Sequence, residues 1–81
     1  MNIFVGNLNF KVSDSELQSL FEEYGTVTSA KIITDKYSGR SRGFGFVEME
    51  DSAEAKNAIE ELNGNSFGGR DIVVNEAKPR S

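Results

Sequence analysis

The residues of this sequence whose type and spacing suggest chemistry are phenylalanines in the segment 42–49, RGFGFVEM. If this segment is extended, its side chains alternate, so Phe44 and Phe46 point to one side of the strand. The side chains that point to the other side are those of Gly43, Gly45, Val47 and Met49. We expect helices to pack on that side, because the glycines allow close approach and the larger residues fill a core. Uncovered phenylalanines carry an aggregation cost, which indicates that they stack flat ligands such as nucleobases.

The composition argues against disulfides, metal sites and catalysis. The chain has no cysteine and no histidine, which excludes disulfides, zinc–thiolate sites and the commonest general base. We interpret the carboxylates of Glu48, Glu50 and Asp51 as solvated or helix-capping groups rather than a metal site or an acid/base pair. The glycines around Phe44 lack the third glycine and the following helix of a nucleotide-binding loop. We therefore predict no catalysis, no cofactor and no bound metal.

Four segments have the composition and alternation of strands: residues 3–6, 27–34, 42–49 and 72–74. In the first, Phe4 points to the same side as the two rings of the third. In the second, β-branched residues favour a strand, and a polar connection with one glycine joins it to the third as a hairpin. The residues expected to face the core in the other three strands are Ile3, Val5, Ala30, Ile32, Ile72 and Val74.

Two segments between the strands have the pattern of amphipathic helices. Ser13 with Glu16, and Asp51 with Glu54, have the spacing of a capping box, so helices should begin at the following residue. The apolar residues that recur at helical spacing are Leu17, Leu20, Phe21 and Tyr24, then Ala55, Ala58, Ile59 and Leu62. A glycine follows each stripe and fits a helix C-terminus.

The element order is strand, helix, strand, strand, helix, strand, which predicts an α+β, ferredoxin-like sandwich. Right-handed crossovers put both helices on one face of a four-stranded antiparallel sheet and leave the other face open. The strands that carry the three phenylalanines then lie side by side at its centre. We predict one domain over residues 1–77 and a tail over residues 78–81. With no secretory signal and no membrane span, we expect a soluble cytoplasmic protein.

Two segments of the sequence resemble the signatures of a known family. The segment 42–49 is similar to the longer signature of the RNA recognition motif, K/R-G-F/Y-G/A-F-V-x-F/Y, and departs from it only at Met49, which should face the core. The segment 3–8, IFVGNL, resembles the shorter signature of that family. The resemblance covers residues 2–77 and is strongest to small single-domain members and to the RNA-binding part of glycine-rich ones.

The resemblance implies that single-stranded RNA is the partner, with single-stranded DNA as an in vitro alternative. Phe4 and Phe44 would each stack one base, Phe46 would pack between sugars or on a base edge, and Arg42 would pair with a phosphate. Asn7 would either hold the following loop or contact a base, and we favour the loop. The remaining candidate RNA contacts are Lys31, Arg70, Asn75 and Lys78.

The overall charge of −4 and the pI of about 4.7 oppose this interpretation, since phosphate binding normally needs a basic surface. The distribution of the charges favours it. Eight of the thirteen acids fall in or beside the predicted helices, whereas Lys56 is the one base there. If both helices cover the same face, that face is acidic and most bases remain near the open face.

Two other functions can be compared with RNA binding. Small acylphosphatases share the order of strands and helices, but they need a phosphate-cradling loop with an arginine after the first strand, and residues 7–12 contain only Lys11. A protein-interaction module of the same family often lacks the aromatic residues that this chain keeps. We predict a monomeric RNA-binding module with no membrane partner and no small-molecule substrate.

Overall fold

The computed structural model describes residues 1–77. Its elements, in chain order, are β1 (Asn2–Gly6), α1 (Asp14–Glu22), β2 (Val27–Thr34), β3 (Ser41–Met49), α2 (Ser52–Leu62), β4 (Ser66–Phe67), β5 (Arg70–Asp71) and β6 (Val73–Glu76). The predicted order of the main elements is confirmed, with β6 as the final strand. The small hairpin of β4 and β5 was not predicted. The proposed tail, residues 78–81, lies outside the described residues.

The main sheet has the strand order β2-β3-β1-β6, and all of its neighbouring strands are antiparallel. β1 and β3 therefore hold the two central positions, as the sequence predicted. Both helices pack on one face of this sheet, with α1 next to β2 and α2 next to β6. The predicted α+β, ferredoxin-like sandwich is thus confirmed.

Both helices begin where the capping residues predicted. Ser13 Oγ accepts a hydrogen bond from the Glu16 N–H at 3.2 Å, and Glu16 Oε1 accepts one from the Ser13 N–H at 3.2 Å, which completes a capping box for α1. For α2, the Asp51 carboxylate accepts from the N–H groups of Ala53 and Glu54. Neither helix of residues 1–77 is long and apolar enough to cross a membrane.

The core lies between the helices and the inward side of the sheet. Every strand residue that was expected to face inward is buried, except that Ala30 is half-buried. Met49, where the sequence departs from the aromatic of the family signature, is completely buried. No polar or charged side chain is buried among the described residues, so the core itself consists of apolar side chains.

The two glycines of β3 have a different role from the one expected. A Cβ atom on Gly45 would lie 2.5 Å from the carbonyl oxygen of Lys31, in the neighbouring strand β2. Gly43 has a φ of 81°, a left-handed conformation that other residues rarely adopt. The expected close approach of a helix is therefore wrong, because these glycines accommodate β2 and an irregularity within β3 itself.

The last strand begins one residue later than predicted. Ile72 is buried as expected, but its backbone bonds to the turn after α2 rather than to β1. The Ile72 N–H donates to Asn65 O at 2.9 Å, and the Gly64 N–H donates to Ile72 O at 2.8 Å. These bonds join the two ends of the β4–β5 hairpin, which therefore lies outside the main sheet, before the chain enters β6.

Candidate nucleic-acid interface

The open face of the sheet carries a row of four side chains, one from each strand. Phe46 and Phe4 lie opposite each other on the central strands β3 and β1. Lys31 on β2 lies opposite Phe46, and Asn75 on β6 lies opposite Phe4. All four are exposed or half-buried. The row therefore places two aromatic rings between an ammonium group and an amide, across the full width of the sheet.

Phe44 joins these two rings in a cluster that we call the aromatic platform (Phe4, Phe44 and Phe46). The ring centroids are 5.9 Å apart for Phe4 and Phe44, 5.8 Å for Phe4 and Phe46, and 6.4 Å for Phe44 and Phe46. The two pairs that include Phe46 are edge-to-face, an arrangement that stabilises aromatic pairs. Phe46 remains 39% exposed, and the platform lies on the opposite side of the sheet from the core.

Arg42 lies at the end of the platform that Phe44 occupies. Its guanidinium carbon is 5.8 Å from the centroid of the Phe44 ring, within the range of a cation–π contact. The side chain is exposed, so its donors remain available to an anion next to the ring. A stacked base and its phosphate could therefore contact Phe44 and Arg42 together.

Asn7 and Arg70 connect the end of β1 to the β4–β5 hairpin. Asn7 has a positive φ of 56°; its Nδ2 donates to Asp71 O at 2.7 Å, and its Oδ1 accepts from Arg70 Nη2 at 2.8 Å. Both ends of the Asn7 amide are thus engaged within the protein, which favours its loop role. Arg70 faces a depression of about 300 Å³ that Phe4, Phe44 and Arg42 also line.

The charges on the open face are distributed unequally along the platform. The end near Phe44 has Arg42 and Arg70, and no acidic residue lines the depression between them in the described chain. At the end near Phe46, Lys31 shares a second depression with Glu48. The acids in the first turns of both helices lie on the other side of the sheet, where the helices pack. The predicted segregation is therefore largely present, with Glu48 as an acid on the open face.

Sequence reasoning missed Phe10, which lies in the loop between β1 and α1 and is 64% exposed. The residue belongs to no strand or helix stripe, so hydrophobic periodicity could not single it out. Its one sequence signal is an aromatic residue within a polar connection. Among residues 1–77, no group of three or more histidine, cysteine, aspartate or glutamate side chains could hold a metal ion.

Comparisons with known proteins agree with this geometry. The sequence model of the RNA recognition motif matches residues 3–73. The chain is 52% identical over 80 residues to RbpA of Synechocystis sp., covering 99% of this chain and 79% of that protein. It is 51% identical over 77 residues to glycine-rich RNA-binding protein 8 of Arabidopsis thaliana, covering 95% of this chain and 46% of that protein.

Two solved structures extend the comparison to three dimensions. The crystal structure of RNA binding protein PG1 superposes with a TM-score of 0.96 at 57% identity, covering 100% of this chain and 98% of that one. A chain of a Sxl-lethal protein–RNA complex superposes with a TM-score of 0.87 at 36% identity, covering 94% of this chain and 47% of that one. The similarity thus spans the whole sheet and both helices.

Proposed function

Since the chain belongs to the RNA recognition motif family, we propose that it binds single-stranded RNA across the open face of its sheet. The observation that carries this proposal is the aromatic platform, which lies in the accessible centre of a sheet whose other face is filled by the core. Stacking on aromatic rings is the usual way in which such a sheet binds unpaired bases. Relatives that are named as RNA-binding proteins support the same ligand.

We assign the main roles to the platform and its nearest cation. Phe4 and Phe44 each stack one base, and Phe46 packs against sugars or a base edge. Arg42 pairs with a phosphate next to the Phe44 ring. Stacking of one base contributes about 1–3 kcal/mol to binding. Two such stacks and a few phosphate contacts suit a stretch of about two to four nucleotides.

The residues around the platform have secondary roles in this proposal. Lys31 and Asn75 lie at the two ends of the cross-strand row, where they can contact a phosphate and a base edge. Arg70 borders the platform beside Arg42. Asn7 shapes the loop by bonding to the β4–β5 hairpin rather than by contacting a base. Lys78 remains a candidate from the family resemblance and lies outside the described residues.

In this proposal the protein acts in the cytoplasm as a monomeric binding module and is not an enzyme. An acylphosphatase-like reaction would need free N–H groups in the loop between β1 and α1 to cradle a phosphate. In this chain the N–H groups of Leu8, Lys11 and Val12 donate to Gly43 O, Asn9 Oδ1 and Asn9 O. The loop therefore uses these donors for its own structure.

Chemical-shift mapping with short ribo-oligomers tests the proposal. The isotopically labelled protein is titrated with mixed-sequence RNA tetramers, and backbone amide and aromatic signals are followed. We expect the largest changes at Phe4, Phe44 and Phe46 and in the strands that carry them. Exposed positions of α1 and α2, such as Lys56, are the internal control, and we expect their signals to change little. Changes concentrated on the helices, or absent at millimolar RNA, would contradict RNA binding by the sheet.

A further inference from the structure

Phe10 is an exposed aromatic side chain on a loop that is held firmly in place. The neighbouring side chains of Leu8 and Val12 are buried in the core. The Leu8 N–H donates to Gly43 O at 2.8 Å, and Asn9 Nδ2 donates to Gly68 O at 2.8 Å. The loop is therefore fixed to β3 on one side and to the β4–β5 turn on the other. Its conformation presents the Phe10 ring to solvent, at a cost in apolar exposure that folding alone does not explain.

An irregularity in β3 positions this ring. Between the pairs Ile32↔Gly45 and Thr34↔Ser41, β3 contains two more residues than β2. Within this bulge the Gly43 N–H donates to Ser41 Oγ at 3.1 Å and the Gly43 carbonyl accepts from Leu8, so neither group pairs with β2. A Cβ atom on Gly43 would lie 3.3 Å from Phe10 Cε1. The bulge thus brings the β3 backbone against the edge of the Phe10 ring.

The surface around Phe10 is continuous with the aromatic platform. The depression of about 300 Å³ beside Phe44, Arg42 and Arg70 also has Phe10 in its lining. Another depression, of about 570 Å³ and distinct from the one beside Lys31 and Glu48, is lined by Phe10 together with Gly39, Arg40 and Ser41. No aspartate or glutamate lines either depression in the described part of the chain. An exposed ring therefore lies between arginines, on a path that starts at the platform.

We propose that Phe10 is an additional stacking position for single-stranded RNA, beyond the bases that bind on the platform. The base of the added nucleotide stacks on the Phe10 ring, and its phosphates lie near Arg40 and Arg42. A nucleic acid fits this surface because it supplies flat bases and negative charge together, which are the two features that the ring and the arginines complement. This inference rests on the proposed function. It extends the bound RNA beyond the end of the aromatic platform that Phe44 occupies.

A length series separates this position from the platform. Mixed-sequence ribo-oligomers of two to six nucleotides are titrated into the wild-type protein, Phe10→Ala and Phe10→Tyr at one salt concentration, with affinities taken from NMR titrations. We expect Phe10→Ala to weaken binding of the longest oligomers about 5- to 150-fold, the loss of one stacked base, and to change binding of dinucleotides less than about twofold. Phe10→Tyr retains a ring for stacking and should stay close to wild type.

Arg40→Gln gives a second variant that does not depend on the aromatic ring. It should weaken only the longer oligomers and make their salt dependence shallower, because one phosphate contact is lost. Thermal melting of each variant checks folding, and we expect no large change because both side chains are exposed.

Three results would overturn the inference, and one of them would also remove its premise. If oligomers of every length bind as tightly to Phe10→Ala and Arg40→Gln as to wild type, the Phe10 position is refuted while RNA binding by the sheet stands. If Phe10→Ala weakens dinucleotides and hexanucleotides equally, the ring supports the platform and adds no position. If no oligomer binds the wild-type protein, the proposed function itself fails.

Discussion

The two sides of strand β3 have different surroundings, since one side packs against the helices and the other faces solvent. Val47, on one side, is completely buried against the helices, whereas Phe44 and Phe46, on the other, keep part of their rings in solvent. Burial of apolar area explains the first side, because each buried side chain contributes to folding. It does not explain the second, where apolar area stays accessible. Alternation along one strand can therefore separate the residues that fold the domain from those that bind its ligand.

The largest effect should come from a charge placed on the inward side. Val47→Asp buries an ionised carboxylate without a partner, which should cost about 4 kcal/mol or more, a large share of the stability of a domain this small. We expect the variant to be unfolded by circular dichroism at room temperature. Glu48→Ala, one residue along the same strand but exposed, is the matched control and should melt within a few degrees of wild type. A folded Val47→Asp protein would break the comparison.

A smaller change on the inward side concerns the contact between β3 and β2. Gly45→Ala places a methyl group 2.5 Å from the backbone oxygen of Lys31, so the strands must separate. We expect a loss of about 1–3 kcal/mol in the free energy of unfolding, measured by urea denaturation. RNA affinity at a temperature where the variant is folded should change much less than stability does. Unchanged stability would mean that the two strands have room to move apart.

The outward side should respond in RNA binding and salt dependence rather than in stability. With two or three phosphates neutralised, the plot of log affinity against log salt should have a slope of about −1.5 to −2 for a single strand, and Arg42→Gln should make it shallower by about 0.7. Lys56→Gln removes an exposed cation from α2 and should leave the slope unchanged. Equal effects of the two variants would show that overall charge, rather than the open face, controls binding.

The smallest effect is expected in the loop between β2 and β3, away from both sides of the strand. Hydrogen bonds from the backbone N–H groups of Ser38 and Tyr37 hold the pKa of the Asp35 carboxyl below its ordinary value. The bonded carboxylate therefore contributes stability above the ordinary pKa, and this contribution is lost as pH falls through the lowered pKa. An NMR titration should find that the Asp35 carboxyl protonates at a lower pH than an aspartate in an unstructured peptide, since its pKa is lowered. An ordinary pKa would show that the turn is not held by this group.

Much of this arrangement follows from local sequence. The alternation in β3 separates Val47 from Phe44 in any extended chain, and the capping residues Ser13 and Asp51 fix where the helices begin. The neighbouring positions of the two central strands follow from the order of elements. These features depend on residues that are close together in the chain, or on a rule of topology, so the sequence was sufficient to predict them.

The remaining features depend on contacts between distant segments. The contact of Asn7 with Arg70 joins residues 63 positions apart, and no spacing rule predicts it. The bulge at Gly43 interrupts the pairing of β3 with β2, and the Gly43 carbonyl accepts a hydrogen bond from the Leu8 N–H instead. The position of Phe10 beside Gly43 follows from that bulge, which is why the ring was missed. Sequence alone thus predicted the platform, but not the loop that extends it.

Phe44→Ala tests the central claim most directly, when RNA affinity and melting temperature are measured on the same sample. The ring is half-buried on the open face, so its removal should cost about 1–3 kcal/mol of binding through the lost stack while the melting temperature changes by only a few degrees. Phe21→Ala, which removes a fully buried ring from α1, is the opposite control and should lose about 3–5 kcal/mol of stability. If Phe44→Ala unfolds the domain, or melts and binds RNA like wild type, the separation of folding and binding between the two sides of β3 is contradicted.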